Sequence, residues 1–258
     1  MPVMTTRSRI GPATVAWGYM VNQRWWVGTL CCAALFVSTT GAISAGRRAL
    51  VPPDDERLSL RTTSAFQGGR RPDDLFTQIY TRGDVKKKTM RSLKGTFTET
   101  TSSTLLTRPI VAHGTVLAAA PSRVLMTYTD PERKILAMDG KTLTILYSDR
   151  GERQQVNITD IQKRIDHYFT NASVDELRSM FDIVARPDAV LRRADVIDMK
   201  PKRKQIQQGL ERLEIWIDRE TDLLTQMRFS FPGGDQKTVT LEDLVENVPV
   251  TDEMFKIK

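Results

Sequence analysis

Apolar and polar residues alternate along residues 93–148, and this period of two predicts a run of short β-strands. The clearest case is 142–148, where Leu143, Ile145 and Tyr147 share one face and threonines occupy the other. The predicted strands span 94–104, 110–119, 123–129, 134–139 and 142–148. Short turns with proline or glycine separate them, so consecutive strands should pair antiparallel as a meander. We expect this sheet to curve around an apolar pocket.

The same alternation returns in the second half of the chain. Strands are predicted at 152–157, 182–185, 196–199, 210–218, 224–231 and 237–247. The segment Pro232-Gly233-Gly234-Asp235 is typical of a hairpin turn between the last two strands. The pattern therefore predicts an α+β protein with about nine to eleven strands and two or three helices.

Apolar residues at helical spacing precede the meander and interrupt the later strands. Pro72 and the acids after it are typical of a helix start, and Gly83 should kink or split this first helix. Residues 157–181 predict two further helices, the second with Ser173 as its N-cap. Because these helices need an apolar surface, we expect them to cover the sheet. The predicted lid residues are Ile158, Ile161, Ile165 and Phe169.

Residues 1–45 have the three parts of an export signal. Arg24 ends a basic segment, about 13 apolar residues follow, and small residues at 38–45 offer cleavage sites. The alternative is an N-terminal anchor that is not cleaved. Cys31 and Cys32 both lie in this signal, so an exported mature chain would contain no disulfide and no cysteine metal site.

Composition divides the rest of the chain into a linker and a folded domain. Residues 46–71 contain Pro52-Pro53 and Gly68-Gly69 with few apolar residues, which predicts a flexible linker. Residues 72–258 form the predicted domain. The net charge is +7, of which Arg7, Arg9 and Arg24 supply three, so we expect no nucleic-acid partner.

Catalytic motifs are scarce in the sequence. The only histidines are His113 and His167, and no glycine-rich phosphate loop, nucleophile elbow or metal-ligand cluster is present. The carboxylates in 218–222 lack the calcium-loop spacing and predict a turn. We therefore expect no enzyme, no cofactor and no metal. A hydrolase that uses aspartate or histidine is the competing hypothesis.

The strongest candidate for function is the apolar face of the strands. An ordinary core and a pocket for an acyl chain are both compatible with this pattern. A 16-carbon chain would gain on the order of 10 kcal/mol on burial. The candidate cavity-lining residues are Phe97, Val116, Met126, Tyr128, Leu143, Ile145, Tyr147, Ile215, Met227, Phe229 and Phe231.

Three segments, in this order and spacing, resemble the outer-membrane lipoprotein carrier (LolA) family over residues 72–258. The first is Leu93-Lys94-Gly95-Thr96-Phe97-Thr98-Glu99-Thr100, and the second runs from Pro121 to Asp139-Gly140-Lys141-Thr142-Leu143. The third is 213–221 followed by Asn247-Val248-Pro249-Val250 and Phe255.

The resemblance implies a strongly curved, unclosed antiparallel half-barrel, with helices as a lid over an apolar cavity. It implies a carrier that shuttles acylated lipoproteins, or another lipid, from the inner to the outer membrane through the periplasm. The implied partners are an inner-membrane ABC transporter and an outer-membrane acceptor, and the expected state is a monomer. In this picture the apolar strand residues hold the acyl chains, and the helices of 157–181 open and close.

One departure from the family leaves the lid and the cargo open. Ala120 stands where many members place an arginine directly before the proline of the third strand, and that arginine is thought to hold the lid. A relative that carries another lipid is therefore one alternative. A half-barrel that senses envelope lipid or lipoprotein and regulates a partner is the other.

Overall fold

A computed structural model of the chain describes residues 74–165 and 172–257. The predicted signal at 1–45, the linker at 46–71 and the residues Phe169 and His167 lie outside this part. The side chains of Ile161 and Ile165 also lie outside it.

One antiparallel sheet and a few short helices make up the described structure. The helices are α1 (Leu75–Thr89), α2 (Thr159–Ile165), α3 (Val174–Met180) and α4 (Lys204–Gln207), and a 3-10 helix spans Asp252–Phe255. The strands are β1 (Ser92–Ser102), β2 (Ile110–Ala119), β3 (Arg123–Asp130), β4 (Lys134–Met138), β5 (Thr142–Tyr147), β6 (Glu152–Asn157), β7 (Phe181–Pro187), β8 (Ala194–Pro201), β9 (Arg212–Asp218), β10 (Leu224–Ser230) and β11 (Gln236–Glu246).

The sheet has eleven strands in the order β6-β5-β4-β3-β2-β1-β11-β10-β9-β8-β7. Two meanders, β1 to β6 and β7 to β11, meet where β1 pairs with β11. The outer strands β6 and β7 are the two edges, so the sheet is not closed into a barrel. This architecture confirms the predicted α+β half-barrel with an unclosed antiparallel sheet.

Helix α1 runs through Gly83 as one helix, which contradicts the split that was one of the two expected effects of this glycine. The Asp74 side chain caps its start by accepting a hydrogen bond from the Thr77 backbone N–H at 3.0 Å. Lysines in its last turn are favourable at the C-terminal end of the helix dipole. Phe76 and Ile79 are buried against the sheet. These contributions offset the cost of one glycine, about 1 kcal/mol.

The predicted N-cap of α3 is confirmed, and it forms a capping box. Ser173 Oγ accepts a hydrogen bond from the Glu176 backbone N–H at 3.2 Å, and the Glu176 carboxylate accepts one from the Ser173 N–H at 2.6 Å. The turn after β9 is also confirmed, since the Asp218 carboxylate accepts from the backbone N–H of Thr221 at 2.8 Å.

None of the helices in the described part of the chain combines the length and the apolar character that crossing a membrane requires.

Gly114 lies where three strands approach closely. It pairs with Phe97 on β1 and with Tyr128 on β3. A Cβ at this position would lie 2.2 Å from the Thr127 carbonyl oxygen and 2.8 Å from the Phe97 ring. The backbone cannot accommodate such a contact without moving a strand.

We predict that Gly114→Ala lowers the free energy of unfolding by about 1–3 kcal/mol because it overpacks this contact. The matched control is Gly83→Ala in α1, where a Cβ meets nothing within 4 Å. That control should gain about 0.5–1 kcal/mol from helix propensity. Urea unfolding of the two variants measures both values, and equal effects would contradict the close approach at Gly114.

Candidate functional site

The sequence-predicted apolar residues lie together on one face of the sheet. All eleven belong to a single buried cluster. Cross-strand pairing places them side by side, as for Val116 with Met126 and for Met227 with Ile215. Nine of them are core residues of this concave face with exposed fractions of 0–8%, namely Phe97, Val116, Met126, Leu143, Ile145, Ile215, Met227, Phe229 and Phe231. Their role in lipid binding stays a prediction.

Helices rather than a second sheet cover the concave face. Phe76 and Ile79 of α1, Leu177 and Met180 of α3, and Ile158 just before α2 all belong to the same buried cluster. Ile158 is the predicted lid residue whose side chain the structure describes, and it is fully buried. The other four residues are spaced three apart, Phe76 and Ile79 in α1 and Leu177 and Met180 in α3. This helical spacing is the sequence signal that they share a buried face. We call α1, α2 and α3 the helical cover.

Helices α1 and α3 are joined to each other by polar contacts. The Arg178 guanidinium pairs with the Asp74 carboxylate and lies 5.6 Å from the centroid of the Phe76 ring. The Tyr80 hydroxyl donates to the carbonyl of Ala172. Since Phe76 also packs on the sheet, α1 and α3 form one unit over the concave face.

The polar contacts of α1 with the sheet lie at the edge of the interface. Arg82 Nε donates to the Asp222 carboxylate at 2.7 Å, and Lys86 Nζ donates to the Glu246 carboxylate at 2.6 Å. All four side chains keep part of their surface in solvent. Such ion pairs contribute little to stability, so the apolar contacts hold α1 in place.

Helix α2 is attached at the end of the sheet where Ala120 replaces the expected arginine. Gln162 Nε2 donates to Ser122 Oγ at 3.3 Å, in the turn between β2 and β3. Arg123, three residues after Ala120, donates to the Ala120 carbonyl at 3.0 Å and pairs with Asp252. Arg123, which follows Pro121, therefore stabilises this turn, whereas the family arginine would precede that proline. The resemblance to the family did not predict this role for Arg123.

A cavity of about 650 Å³ lies at the other end of the sheet, where β3 turns into β4 and β5 into β6. This volume is within the range of about 300–1,000 Å³ that is typical of small-molecule sites. We call it the end cavity. Tyr128 and Tyr147 line it, as do charged residues that the sequence analysis did not propose, Glu99, Glu132, Glu152, Lys134, Arg150 and Lys237.

The floor of the end cavity is a buried network of three side chains. Glu99 accepts a hydrogen bond from Lys237 Nζ at 3.0 Å on one oxygen and from the Tyr128 hydroxyl at 3.0 Å on the other. The side chains of Lys237 and Glu99 are only 2% and 6% exposed. Both residues occupy inward positions of their strands, where the alternating pattern otherwise places apolar residues. A charged residue at such a position was the sequence signal for this site.

Two cations lie over the two tyrosine rings of the end cavity. Lys134 Nζ is 4.5 Å from the centroid of Tyr128, and the Arg150 guanidinium is 4.5 Å from that of Tyr147. Burial lowers the pKa of Lys134, while the Glu99 and Glu132 carboxylates oppose this shift and Lys237 adds to it. The Lys134 ammonium therefore lies in surroundings that do not fully compensate its charge.

His113 and the carboxylates of 218–222, the catalytic candidates in the described part of the chain, do not line this cavity. His113 is exposed on the outer face of β2, with Nδ1 3.2 Å from Thr98 Oγ1. Within residues 74–165 and 172–257, no group of three or more His, Cys, Asp or Glu side chains could hold a metal ion.

The sequence matches the family model described as outer membrane lipoprotein carrier protein LolA over residues 88–258. This span begins in the last turn of α1 and contains all eleven strands. Among curated proteins, none matches the chain significantly.

Several solved structures are similar to this chain at low sequence identity. An uncharacterized conserved protein from Thermus thermophilus is 10% identical, with a TM-score of 0.48 over 72% of this chain and 94% of that chain. The Mycobacterium tuberculosis lipoprotein LppX is 15% identical, with a TM-score of 0.42 over 67% and 96%. The MucA/MucB complex of Pseudomonas aeruginosa gives 16% identity and a TM-score of 0.42 over 65% and 56%. These values describe a distant likeness in fold and carry no information on ligands.

We predict that Lys237→Met lowers the free energy of unfolding by about 3–5 kcal/mol, because it leaves the Glu99 carboxylate buried without its cation. The double variant Lys237→Met with Glu99→Gln should recover most of this loss. Arg193→Gln, which breaks an exposed pair with Glu220, is the control and should cost less than about 1 kcal/mol. Denaturant unfolding measures all three, and equal losses for Lys237→Met and Arg193→Gln would refute the buried pair.

Burial, followed by the charge of the Glu99 carboxylate that accepts its hydrogen bond, raises the pKa of Tyr128 well above its usual value of 10.0. The native state thus prefers the protonated phenol. The resulting stability is complete below pH 10 and is lost as the pH rises from there through the native pKa.

Tyr128→Phe should therefore cost about 1 kcal/mol of unfolding free energy at neutral pH through the lost hydrogen bond. We expect this difference from the wild type to stay constant up to about pH 9 and to shrink above pH 10, where the wild type alone loses the phenol contribution. Unfolding free energies of both proteins at a series of pH values provide the test. A difference that widened above pH 10 would have the wrong sign.

Proposed function

Because the chain belongs to the outer membrane lipoprotein carrier protein (LolA) family, we propose that it is a periplasmic carrier for acyl chains. Family membership supports lipoprotein or lipid binding in general. We propose more specifically that the concave face holds the acyl chains of lipoproteins, or of another lipid, and that the protein carries them from the inner to the outer membrane.

The observation that carries this proposal is the way in which the concave face is covered. Eleven strands present one continuous apolar surface, and the side chains that exclude water from it come from α1, α3 and Ile158 just before α2. Helices joined to a sheet by apolar contacts and edge ion pairs can move away without disrupting any strand pairing. An acyl chain could then occupy the apolar surface of the sheet that is exposed when the helical cover moves away.

The energies of this exchange are of similar size. Removing Phe76, Ile79, Ile158, Leu177 and Met180 from the core exposes five apolar side chains. Each costs about 1.5–3 kcal/mol, or on the order of 10 kcal/mol together. A 16-carbon acyl chain regains on the order of 10 kcal/mol in the same place. Since neither state is strongly preferred, cargo can be both loaded and released.

The remaining features of the proposal follow from the family. We propose that residues 1–45 direct export, that 46–71 link them to the carrier domain of 72–258, and that the protein is no enzyme and acts as a monomer. The proposed partners are an inner-membrane ABC transporter that supplies the cargo and an outer-membrane acceptor that takes it.

Mass spectrometry of lipids extracted from the full-length protein, purified from a periplasmic fraction, tests the proposal. We expect acyl lipid or acylated peptide in an amount comparable to that of the protein. Protein that is free of lipid after detergent-free purification, and that takes up none from added lipoprotein, would refute it.

We predict that Ile145→Glu abolishes lipid retention. An acyl chain bound on the concave face would bury the new carboxylate without a partner, and the free-energy cost of removing that charge from water would prevent binding. Phe229→Glu should do the same from the opposite half of the sheet. Val184→Glu on β7, where the side chain is 58% exposed, is the matched control and should retain lipid. Circular dichroism identifies the variants that fold, and a folded Ile145→Glu or Phe229→Glu protein with normal lipid content would show that this face does not bind the chains.

A further inference from the structure

We propose that the end cavity binds the anionic head group, a phosphate or similar acid, of the lipid whose chains lie on the concave face. Lys134 and Arg150 would contact the acid, and the network of Glu99, Lys237 and Tyr128 would form a fixed floor. This inference rests on the proposed function and adds the chemical class of the ligand.

The end cavity and the apolar concave face are continuous along four strands. On each of these strands, a residue that lines the cavity lies two positions away from a residue of the buried core. Side chains two positions apart on a strand share a face and lie about 7 Å apart. The pairs are Glu99 with Phe97, Tyr128 with Met126, Tyr147 with Ile145 and Lys237 with Val239. An amphiphile that lies along the strands would thus change from polar to apolar surroundings within one such step.

Apart from the Glu99–Lys237 pair, the most buried charge of the end cavity is a cation, Lys134. Lys237 and the Tyr128 hydroxyl already compensate Glu99, so the floor adds little net charge. The side chain of Lys134 is 12% exposed, whereas its carboxylate partner Glu132 lies 3.8 Å away and is 42% exposed. Arg150, which is 57% exposed, pairs at the rim with Glu132 at 3.1 Å and with Glu152 at 3.7 Å, so both rim carboxylates lie closer to Arg150 than Glu132 does to Lys134.

This arrangement favours an acid over other polar groups. A sugar would stack on tyrosine faces, but Lys134 and Arg150 occupy positions over both rings. A cationic group that reached Lys134 would be repelled by its buried ammonium. A phosphate accepts charge-assisted hydrogen bonds from an ammonium and a guanidinium, and it would supply the compensation that Lys134 lacks.

Calorimetric titration of the lipid-free full-length protein with three probes tests the inference. The probes are dioctanoylphosphatidylglycerol, dioctanoylglycerol with the same chains and no acid, and inorganic phosphate alone. We expect the acidic lipid to bind about tenfold more tightly than the neutral lipid, as one or two charge-assisted hydrogen bonds imply. Inorganic phosphate, which lacks the chains, should bind far more weakly than the acidic lipid.

Lys134→Met and Arg150→Gln should each reduce the ratio of the two lipid affinities towards one. Lys204→Met, which removes an exposed cation on α4, is the control and should leave the ratio unchanged. Equal affinities for both lipids in the wild type, or a ratio that neither variant changes, would overturn the head-group site while the carrier function stands. Phosphate that binds as tightly as the acidic lipid would show a site for free phosphate and overturn the link to lipid. Failure of both lipids to bind would overturn the carrier function as well.

Discussion

The exclusion of water from the concave face is the constraint on which the rest of the structure depends. An open sheet of eleven strands buries most of one face, and Met126, Leu143 and Phe229 are fully inaccessible to solvent. No closing strand pair and no second sheet does this in the described part of the chain, so the task falls to side chains of α1 and α3 and to Ile158, just before α2. The same apolar surface that stabilises the fold is the one that an acyl chain would use. Stability and function thus compete for one set of contacts, and the near balance of their energies makes a reversible exchange possible.

The buried pair of Glu99 and Lys237 marks where this apolar surface ends. Burial of a compensated ion pair rarely gains stability over apolar residues of similar size, so its presence calls for another reason. The pair lies between the core of the concave face and the end cavity, and it holds Tyr128 in an orientation that also contacts Phe97, with ring centroids 4.8 Å apart. We interpret it as the fixed boundary between an apolar site for chains and a polar site for their head group.

Much of the fold followed from the period of two. Strands β2 and β6 were predicted with their observed bounds, and the other strands to within a few residues, because half-buried antiparallel strands alternate visibly. The split of α1 at Gly83 was wrong, since local propensity cannot weigh the anchoring by Phe76 and Ile79. The end cavity was not predicted because its charged residues come from β1, β4, β6, β11 and two turns, which are brought together only by the pairing of the strands. Alternation also could not distinguish residues that line a cavity from residues that fill a core, and so the eleven apolar positions were predicted as one set.

The claim that acyl chains replace the helical cover on the concave face can be tested with a fatty acid that carries a photoreactive diazirine at its terminal carbon. After irradiation of the complex with the full-length protein, peptide mass spectrometry locates the label. The account predicts label on concave residues such as Met126, Leu143 and Phe229, and none on Trp216, which packs with Val196 on the outer face of the sheet. Label confined to the outer face or to the helices, with the concave residues unmodified, would contradict it.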